Sequence, residues 1–218
     1  MSDDPFQADD AATPLTPEER LDLKLSYVAL RRELNEAEAL NVLAGERWAL
    51  SRKRDALNEV FLRRLHLRMF GDVWRWAGKY RTSARNLGVD HWTIEVALRQ
   101  ALDDVRYWVE HRTYAPDEIA VRFHHKLVAI HLFPNGNGRI HASPLICSPS
   151  KLAKSASPGG GVPSWRRQTR QAYVRALKAA DAGDVAQLLA FARTLHGRKY
   201  RQWQSESREL YVSPFGFP

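Results

Sequence analysis

The sequence is poor in the features that mark secreted and membrane-spanning proteins. Cys147 is the one cysteine among 218 residues, so no disulfide can form within the chain. No apolar run approaches the roughly 18 residues that a membrane-spanning helix needs. The first ten residues, MSDDPFQADD, are acidic and lack the apolar core of a signal peptide. These absences predict a soluble, cytoplasmic protein without a membrane partner.

The sequence also lacks the patterns of several ligand-binding classes. It contains no GxxxxGK[ST] phosphate-binding loop, no zinc-finger spacing and no aromatic RNA-binding motif. Its formal net charge is nevertheless +8, and because the first ten residues carry four Asp and no base, the remainder carries +12. A field of this sign favours anionic partners such as a nucleotide, a nucleic acid or an acidic protein. A basic nucleic-acid-binding protein stays open on charge alone, but no specific nucleic-acid partner is predicted.

Apolar periodicity predicts a mainly helical single domain. Polar, proline-punctuated residues 1–15 predict a flexible tail before a domain at 16–205, with a second tail at 206–218. Helical spacing recurs within the domain at 55–69, 93–110, 117–130, 165–182 and 185–195. The segment 71–92 holds three glycines and mixes aromatics with β-formers, so a small β-hairpin flap is expected there. The predicted fold class is therefore all-α with that flap added.

Two helix starts can be placed from capping residues. Thr16 can cap a helix that has Pro17 at its first position, and Glu19 would complete a capping box. A second start is predicted at Asn35, with Glu38 three residues further on in the same role.

The segment 140–163 does not follow the helical pattern around it. Ser, Pro and Gly supply twelve of its 24 residues, and it has neither an acidic nor an aromatic residue. Two hypotheses account for it: a genuine inserted loop, or a stretch translated out of its ancestral reading frame. Translating the coding DNA in its other two frames separates the two hypotheses. A frameshift predicts that one of those frames encodes a family-like helix, and an inserted loop predicts that neither does.

The nonapeptide HLFPNGNGR, residues 131–139, is typical of a site that holds phosphate while a proton moves. His131 ends the predicted helix 117–130, and Phe133 can anchor the turn in the core. Glycine, and to a lesser degree asparagine, tolerates the backbone angles that turn successive N–H groups inward around phosphate oxygens. Arg139 can clamp two oxygens, and His131 can act as a general base. Taken singly, a lone histidine here is more often structural and a lone Asn-Gly more often a turn.

This nonapeptide resembles the motif HxFx(D/E)GNGRxxR of the Fic family. The resemblance continues upstream in LHLRMFGDVWRWAGKYRT, residues 65–82, and downstream in YVRALKAADAGD, residues 173–184. It covers about residues 20–195, except 140–163. Within the family, the chain most resembles the short bacterial proteins called mobile mystery protein B.

The resemblance implies transfer of AMP from ATP to a Ser, Thr or Tyr hydroxyl of a target protein, assisted by Mg²⁺. His131 would then be the catalytic base. The other motif residues would bind the nucleotide: Phe133, Asn135, Gly136, Asn137, Gly138 and Arg139. A hairpin flap would align the target's backbone, through Thr82, Ser83, Leu87 and Gly88. Glu38 is a candidate inhibitory residue, which implies either an inhibitory partner or the chain's own N-terminal helix.

The sequence departs from the family motif at two positions. Asn135 replaces the acid that binds Mg²⁺, and an amide is a weak, uncharged ligand for that ion. Ala142 stands where the second motif arginine belongs. A second hypothesis is therefore a catalytically weak or inactive Fic-like protein that binds a nucleotide and a protein.

Overall fold

The protein is described by a computed structural model, which describes residues 16–52, 54–85, 87–138 and 167–193. The chain divides into two compact units at residues 156 and 157, where the sequence predicts one domain over 16–205. The described residues up to 138 lie in the first unit, and those from 167 lie in the second. Both predicted tails and the whole atypical segment 140–163, Cys147 and Ala142 included, lie outside the described residues.

The first unit begins with the capping box that the sequence predicts. Helix α1 is short, Pro17–Arg20, and Thr16 is its N-cap. The Thr16 side chain accepts the Glu19 backbone N–H at 3.3 Å, while the Glu19 carboxylate accepts the Thr16 N–H at 2.9 Å. This reciprocal pair satisfies two of the backbone donors that a helix start leaves open.

The predicted second helix start at Asn35 is wrong. Helix α2 runs Arg31–Leu50, and Glu33 accepts the backbone N–H groups of Ala29 and Leu30 ahead of it. Glu38 therefore lies inside the helix, where it is buried and accepts a 2.8 Å hydrogen bond from Trp74 Nε1. Helix α2 begins after Leu30, whose side chain cannot cap a helix, so the capping pattern at Asn35 and Glu38 lies within the helix.

Helix α2 packs against α3, Glu59–Phe70, and both contribute to the core. Asn58 caps α3 by accepting the Phe61 N–H at 3.1 Å. The apolar stripe predicted for this helix is buried as expected, namely Leu57, Phe61, Leu62, Leu65 and Met69.

Helices α4, Ile94–Glu110, and α5, Pro116–Ile130, pack together as their apolar stripes predict. The buried positions of α4 include Ile94, Leu98, Ala101 and Val105, and those of α5 include Ile119, Phe123, Leu127 and Ile130. Pro116 occupies the first turn of α5, where its missing N–H leaves no bond unmade. This pair of helices carries the nonapeptide at the end of α5.

The predicted β-hairpin is not formed by the described residues. Within the described ranges, β-pairing is limited to one isolated antiparallel bridge between Leu23 and Trp74. The backbone from Arg81 to Asp90, apart from Asn86, is irregular and leads into a 3₁₀ turn at His91–Thr93. Its N–H groups bond to the end of α5 instead: Arg81 N to Leu132 O at 3.0 Å and Val89 N to Ile130 O at 3.3 Å.

The second unit contains helix α6, Arg167–Asp181, and a helical segment at 186–193. Gly183, with φ +94°, separates them, and the Asp184 side chain accepts the Ala186 N–H at 3.0 Å, as a capping residue should. Tyr173 and Phe191 bring their rings to 5.6 Å across this helical pair.

No helix in the described ranges is long and apolar enough to cross a membrane.

Candidate active site

His131 lies at the C-terminal end of α5, as the sequence predicts. It is the C-cap residue and adopts a left-handed conformation, with φ 56° and ψ 68°. Non-glycine residues seldom take a positive φ, so surrounding contacts must hold it there. The imidazole is buried, with the residue 7% exposed.

The loop after His131 is closed on itself by one amide side chain. Asn137 accepts the Phe133 N–H at 2.9 Å and donates to the Phe133 carbonyl at 2.7 Å. Phe133 is fully buried and stacks on His66 at a ring distance of 3.9 Å. Phe133 is therefore the anchor that the sequence predicts, and the described contacts of the Asn137 side chain lie within the loop. The expected contact of Asn137 with a nucleotide stays a prediction.

The two glycines of the loop differ in why they are there. Gly136 has φ +76°, and a Cβ at this position would lie 2.5 Å from the Phe70 ring. Both the backbone angle and the close ring require glycine at 136. Gly138 is exposed and is not among the glycines with positive φ, and an added Cβ would have no described neighbour within 4 Å. The described fold gives no reason for glycine at 138.

His66 supports the loop from α3 and was missed in the sequence. Its Nδ1 accepts the Gly78 N–H at 2.8 Å and its Nε2 donates to the Asn135 carbonyl at 3.0 Å. These partners require the neutral tautomer with a proton on Nε2. Burial lowers the pKa of His66 to about 3, although the bond to Asn135 opposes the shift. A histidine in register with Leu62 and Met69 was the available sequence clue.

The described residues fit a Mg²⁺ ion poorly. Within the described ranges, no group of three or more His, Cys, Asp and Glu side chains could hold a metal. The predicted ligand Asn135 offers one neutral oxygen, which already accepts the Gly136 N–H at 2.6 Å. Since Mg²⁺ prefers carboxylate and phosphate oxygens, these residues alone do not make a magnesium site.

The segment Thr82–Val89 lies against His131, although it is not a hairpin. A Cβ added to Gly88 would lie 2.7 Å from the His131 Cβ and 3.1 Å from the Ile130 carbonyl. Thr82 and Leu87 are exposed nearby in sequence, and Ser83 is half-buried. Of the predicted docking residues, Gly88 therefore meets the predicted base in space.

Two arginines beside this segment were also missed in the sequence. Arg81 is buried, and its guanidinium donates to the His131 carbonyl at 2.6 Å. Arg85 forms a largely buried ion pair with Glu19 of α1. Nothing in the sequence distinguishes these arginines from the many exposed ones, because only tertiary packing buries them.

The surroundings of His131 keep its imidazole neutral. Burial, and to a smaller extent the positive charges of Arg81 and Arg85, together lower the pKa of His131 to about 4. At neutral pH the ring is therefore uncharged, which is the protonation state that a general base needs.

The described contacts around His131 do not include two of the predicted site residues. Arg139 lies outside the described residues, so its role as a phosphate clamp stays a prediction. Glu38 lies within α2 against Trp74, and its inhibitory role stays a prediction too.

Comparison with known families and structures identifies relatives of this arrangement. Residues 56–143 match the model of the Fic/DOC family. This match includes α3, the Arg81–Asp90 segment, α4, α5 and the whole nonapeptide. No curated protein sequence matches the chain significantly.

Solved structures with the same fold share little sequence with the chain. Fic-1 (aa134–508) from C. elegans is 22% identical, with a TM-score of 0.59 over 85% of this chain and 55% of that one. A Fic family protein from Desulfovibrio desulfuricans G20 is 20% identical, with a TM-score of 0.56 over 92% and 62%. BepC from Bartonella tribocorum, with bound AMPPNP, is 15% identical, with a TM-score of 0.58 over 81% and 96%. The chain thus spans less than two thirds of the first two.

Proposed function

Because residues 56–143 make this chain a member of the Fic/DOC family, we propose that it transfers AMP from ATP to a hydroxyl of a target protein. The hydroxyl oxygen attacks the α-phosphorus, the bond to the β-phosphate oxygen breaks, and pyrophosphate leaves. His131 takes the hydroxyl proton. The AMPPNP bound to BepC supports an adenine nucleotide as the donor.

The contact between Gly88 and His131 is the observation that carries this proposal. A base that activates a protein hydroxyl must lie beside the place where the target chain binds. The structure holds Gly88 so close to His131 that a single added methyl group would overlap the His131 side chain. A target segment bound along Thr82–Val89 would therefore present its hydroxyl close to the imidazole.

The low pKa of His131 suits a base that is used only when the nucleotide is bound. Arg81 and Arg85 disfavour the imidazolium in the free protein. A triphosphate bound at the loop brings negative charge, which raises the pKa of the imidazole toward the range in which a base is effective. Proton transfer is then coupled to the presence of the donor substrate.

In this proposal, the phosphates lie at the backbone of residues 136–138. The backbone is helical at 137 and 138, so their N–H groups belong to a helix start, which favours anions. No described atom lies within 4 Å of a Cβ added at Gly138, which supports close approach of a ligand oxygen to the backbone. Arg139 follows directly in the chain and would add a cation.

The test is transfer of label from α-³²P-ATP to protein, in a lysate or to the chain itself. His131→Ala and His131→Asn should abolish labelling; Asn is included because it tolerates the positive φ of this position. A general base contributes roughly 10²–10⁴-fold to a rate. The exposed His111 is the matched control, and His111→Ala should label like wild type. Labelling retained in folded His131 variants would show that this residue is not the base.

A second candidate function is a nucleotide- and protein-binding module without transfer activity. Asn135 favours it, because the position brings no negative charge and its oxygen is bound to the Gly136 N–H. ATP binding without label transfer, in the presence of Mg²⁺ and a responsive target, would decide for the module. Label transfer that depends on His131 would decide for the enzyme.

A further inference from the structure

One buried side chain connects the two halves of the candidate site. Arg81 is 2% exposed, and its guanidinium donates to four backbone carbonyls. They belong to Ser83, Val89, Ile130 and His131. No carboxylate is among these four hydrogen-bonding partners.

Two of these carbonyls lie at the C-terminal end of α5. Arg81 donates to His131 O at 2.6 Å through Nε and to Ile130 O at 3.3 Å through Nη2. The last carbonyls of a helix have no partner within it, and the helix end carries partial negative charge. A cation at this point stabilises the end of α5 and holds the positive φ of His131.

The other two carbonyls lie in the segment that we assign to the target. Arg81 donates to Ser83 O at 3.0 Å through Nη1 and to Val89 O through Nη2. Ser83 and Val89 lie on either side of Leu87 and Gly88 in the chain, so the guanidinium bonds to both ends of this part of the segment. The backbone bonds from Arg81 N to Leu132 O and from Val89 N to Ile130 O run beside it.

We propose that Arg81 is a positioning residue, which sets the distance and orientation between His131 and the docking segment Thr82–Val89. This proposal rests on the proposed function for the roles of His131 and the docking segment. The hydrogen bonds by which Arg81 joins them do not depend on that function. Arg81 acts through backbone carbonyls alone in these contacts. Its effect on transfer is therefore to align the base and the incoming hydroxyl.

Arginine is required here because of its planar fork of donors. Arginine presents five N–H donors in a fixed geometry, whereas lysine has three on one rotating ammonium and is shorter in reach. Arg81→Lys keeps the charge but cannot bond His131 O and Ser83 O from opposite ends of one plane. The variant thus separates the effect of geometry from the effect of charge.

The first measurement is amide hydrogen exchange of the full chain, which needs no activity. In Arg81→Lys, we expect the Val89 and His131 amides to exchange roughly 10- to 100-fold faster, as loss of hydrogen bonds to a charged group implies. Amides of α3 should be unchanged. The control is Arg106→Lys, since Arg106 also donates to a backbone carbonyl, Leu57 O at 2.7 Å. It should leave Val89 and His131 protected.

Two results would overturn the proposal. One is unchanged protection of Val89 and His131 in Arg81→Lys, and the other is equal acceleration of all amides, which indicates global stability alone. If Arg81→Lys does not fold, the rate of hydrogen exchange at the Arg81 Nε proton of the wild-type protein tests the proposal instead. Slow exchange together with the Val89 and His131 amides supports the connection, and exchange at the rate of a free arginine overturns it.

The second measurement is the rate of AMP transfer. Arg81→Lys should lower the rate constant at saturating ATP by roughly 10²-fold, the cost of a small misplacement of reacting groups. The KM for ATP should stay within about twofold of the wild-type value. The reason is that, in the described contacts, the Arg81 side chain bonds only to backbone outside residues 133–139, which are predicted to bind the nucleotide. An unchanged rate constant in a folded Arg81→Lys variant would contradict the positioning role of Arg81. If wild type transfers nothing, the proposed function fails while hydrogen exchange still tests the role of Arg81.

Discussion

Individual residues of the candidate site divide into those that the fold requires and those that it does not. Phe133, Asn137 and Gly136 are explained by contacts within the protein: a stacked ring, two loop hydrogen bonds and a close aromatic neighbour. Gly138 is not explained in this way, because an added Cβ would meet no described atom within 4 Å. The His131 carbonyl is held by Arg81, and the role of its imidazole as a base stays a proposal.

The two loop glycines give a matched pair of substitutions. Gly136→Ala should destabilise the protein by about 1–3 kcal/mol, because it combines a positive φ with overlap against the Phe70 ring. Gly138→Ala should change the free energy of unfolding by less than about 0.5 kcal/mol, as is usual for exposed positions. It should nevertheless weaken ATP binding, since a methyl group would stand where phosphate approaches. Denaturation and calorimetric titration measure both effects, and unchanged ATP binding by Gly138→Ala would remove the backbone site from the proposal.

The substitution Asn135→Asp tests the metal question at one atom. An aspartate supplies the charged oxygen that Mg²⁺ prefers, but it also repels phosphate when no metal is present. The variant should therefore bind ATP more tightly than wild type with Mg²⁺ and less tightly with EDTA. Calorimetric titration under both conditions is the measurement. Equal affinities of the two proteins in both conditions would show that residue 135 does not face the nucleotide.

Among structural elements, the end of α5 and the segment after Tyr80 are joined by hydrogen bonds. The helix ends in a left-handed residue, and the segment lies across that end instead of pairing with itself as a hairpin. Backbone donors that would form a hairpin ladder bond to Ile130 O and Leu132 O. The docking role of the segment stays a prediction, while its predicted hairpin is not formed by the described residues.

Gly88→Ala should disturb this contact directly. Its φ of +100° is strained for alanine, and the new methyl would overlap His131 Cβ and Arg81 Nη2. We expect a displaced His131 ring signal in NMR spectra and a loss of transfer activity. Gly183→Ala is the control, because Gly183 has φ +94° but no described atom within 4 Å of an added Cβ. If both variants leave the His131 signal unchanged, Gly88 does not hold the imidazole.

At the scale of the whole molecule, two buried neutral histidines make stability depend on pH. The pKa of His66 is lowered to about 3 and that of His131 to about 4, from an ordinary value of 6.5. Between these values the unfolded chain binds protons that the folded protein does not. Stability is therefore full above pH 6.5 and falls as the pH decreases toward 3.

Denaturation at several pH values tests this dependence. At pH 5 the free energy of unfolding should be lower than at neutral pH by about 2 kcal/mol for each of the two histidines. His66→Gln should lose stability at neutral pH but show a smaller further loss at pH 5 than wild type. His111→Gln, at an exposed position, is the control and should follow the wild-type profile. An identical pH profile for wild type and His66→Gln would contradict the neutral, buried state of His66.

The positions of the helices in the first unit follow from local sequence rules. Thr16, Pro17 and Glu19 form their capping box from residues three apart, and the apolar stripes of α3, α4 and α5 face the core as their periodicity predicts. Such features depend on neighbours within one or two turns, so sequence reasoning can find them. The same rule failed at Asn35, because α2 begins after Leu30, whose side chain cannot cap a helix.

Local patterns were enough to predict the mainly helical fold, the family resemblance and the position of His131 at a helix end, because each depends on residues close together in the chain. Tertiary packing alone buries Arg81 and His66, brings Glu38 against Trp74, and brings Gly88 into contact with His131. These contacts join residues 12 to 69 positions apart, and Gly88 and His131 are likewise remote in the chain. Packing of separate elements creates them, and no local pattern records which charged or polar side chain the packing will enclose.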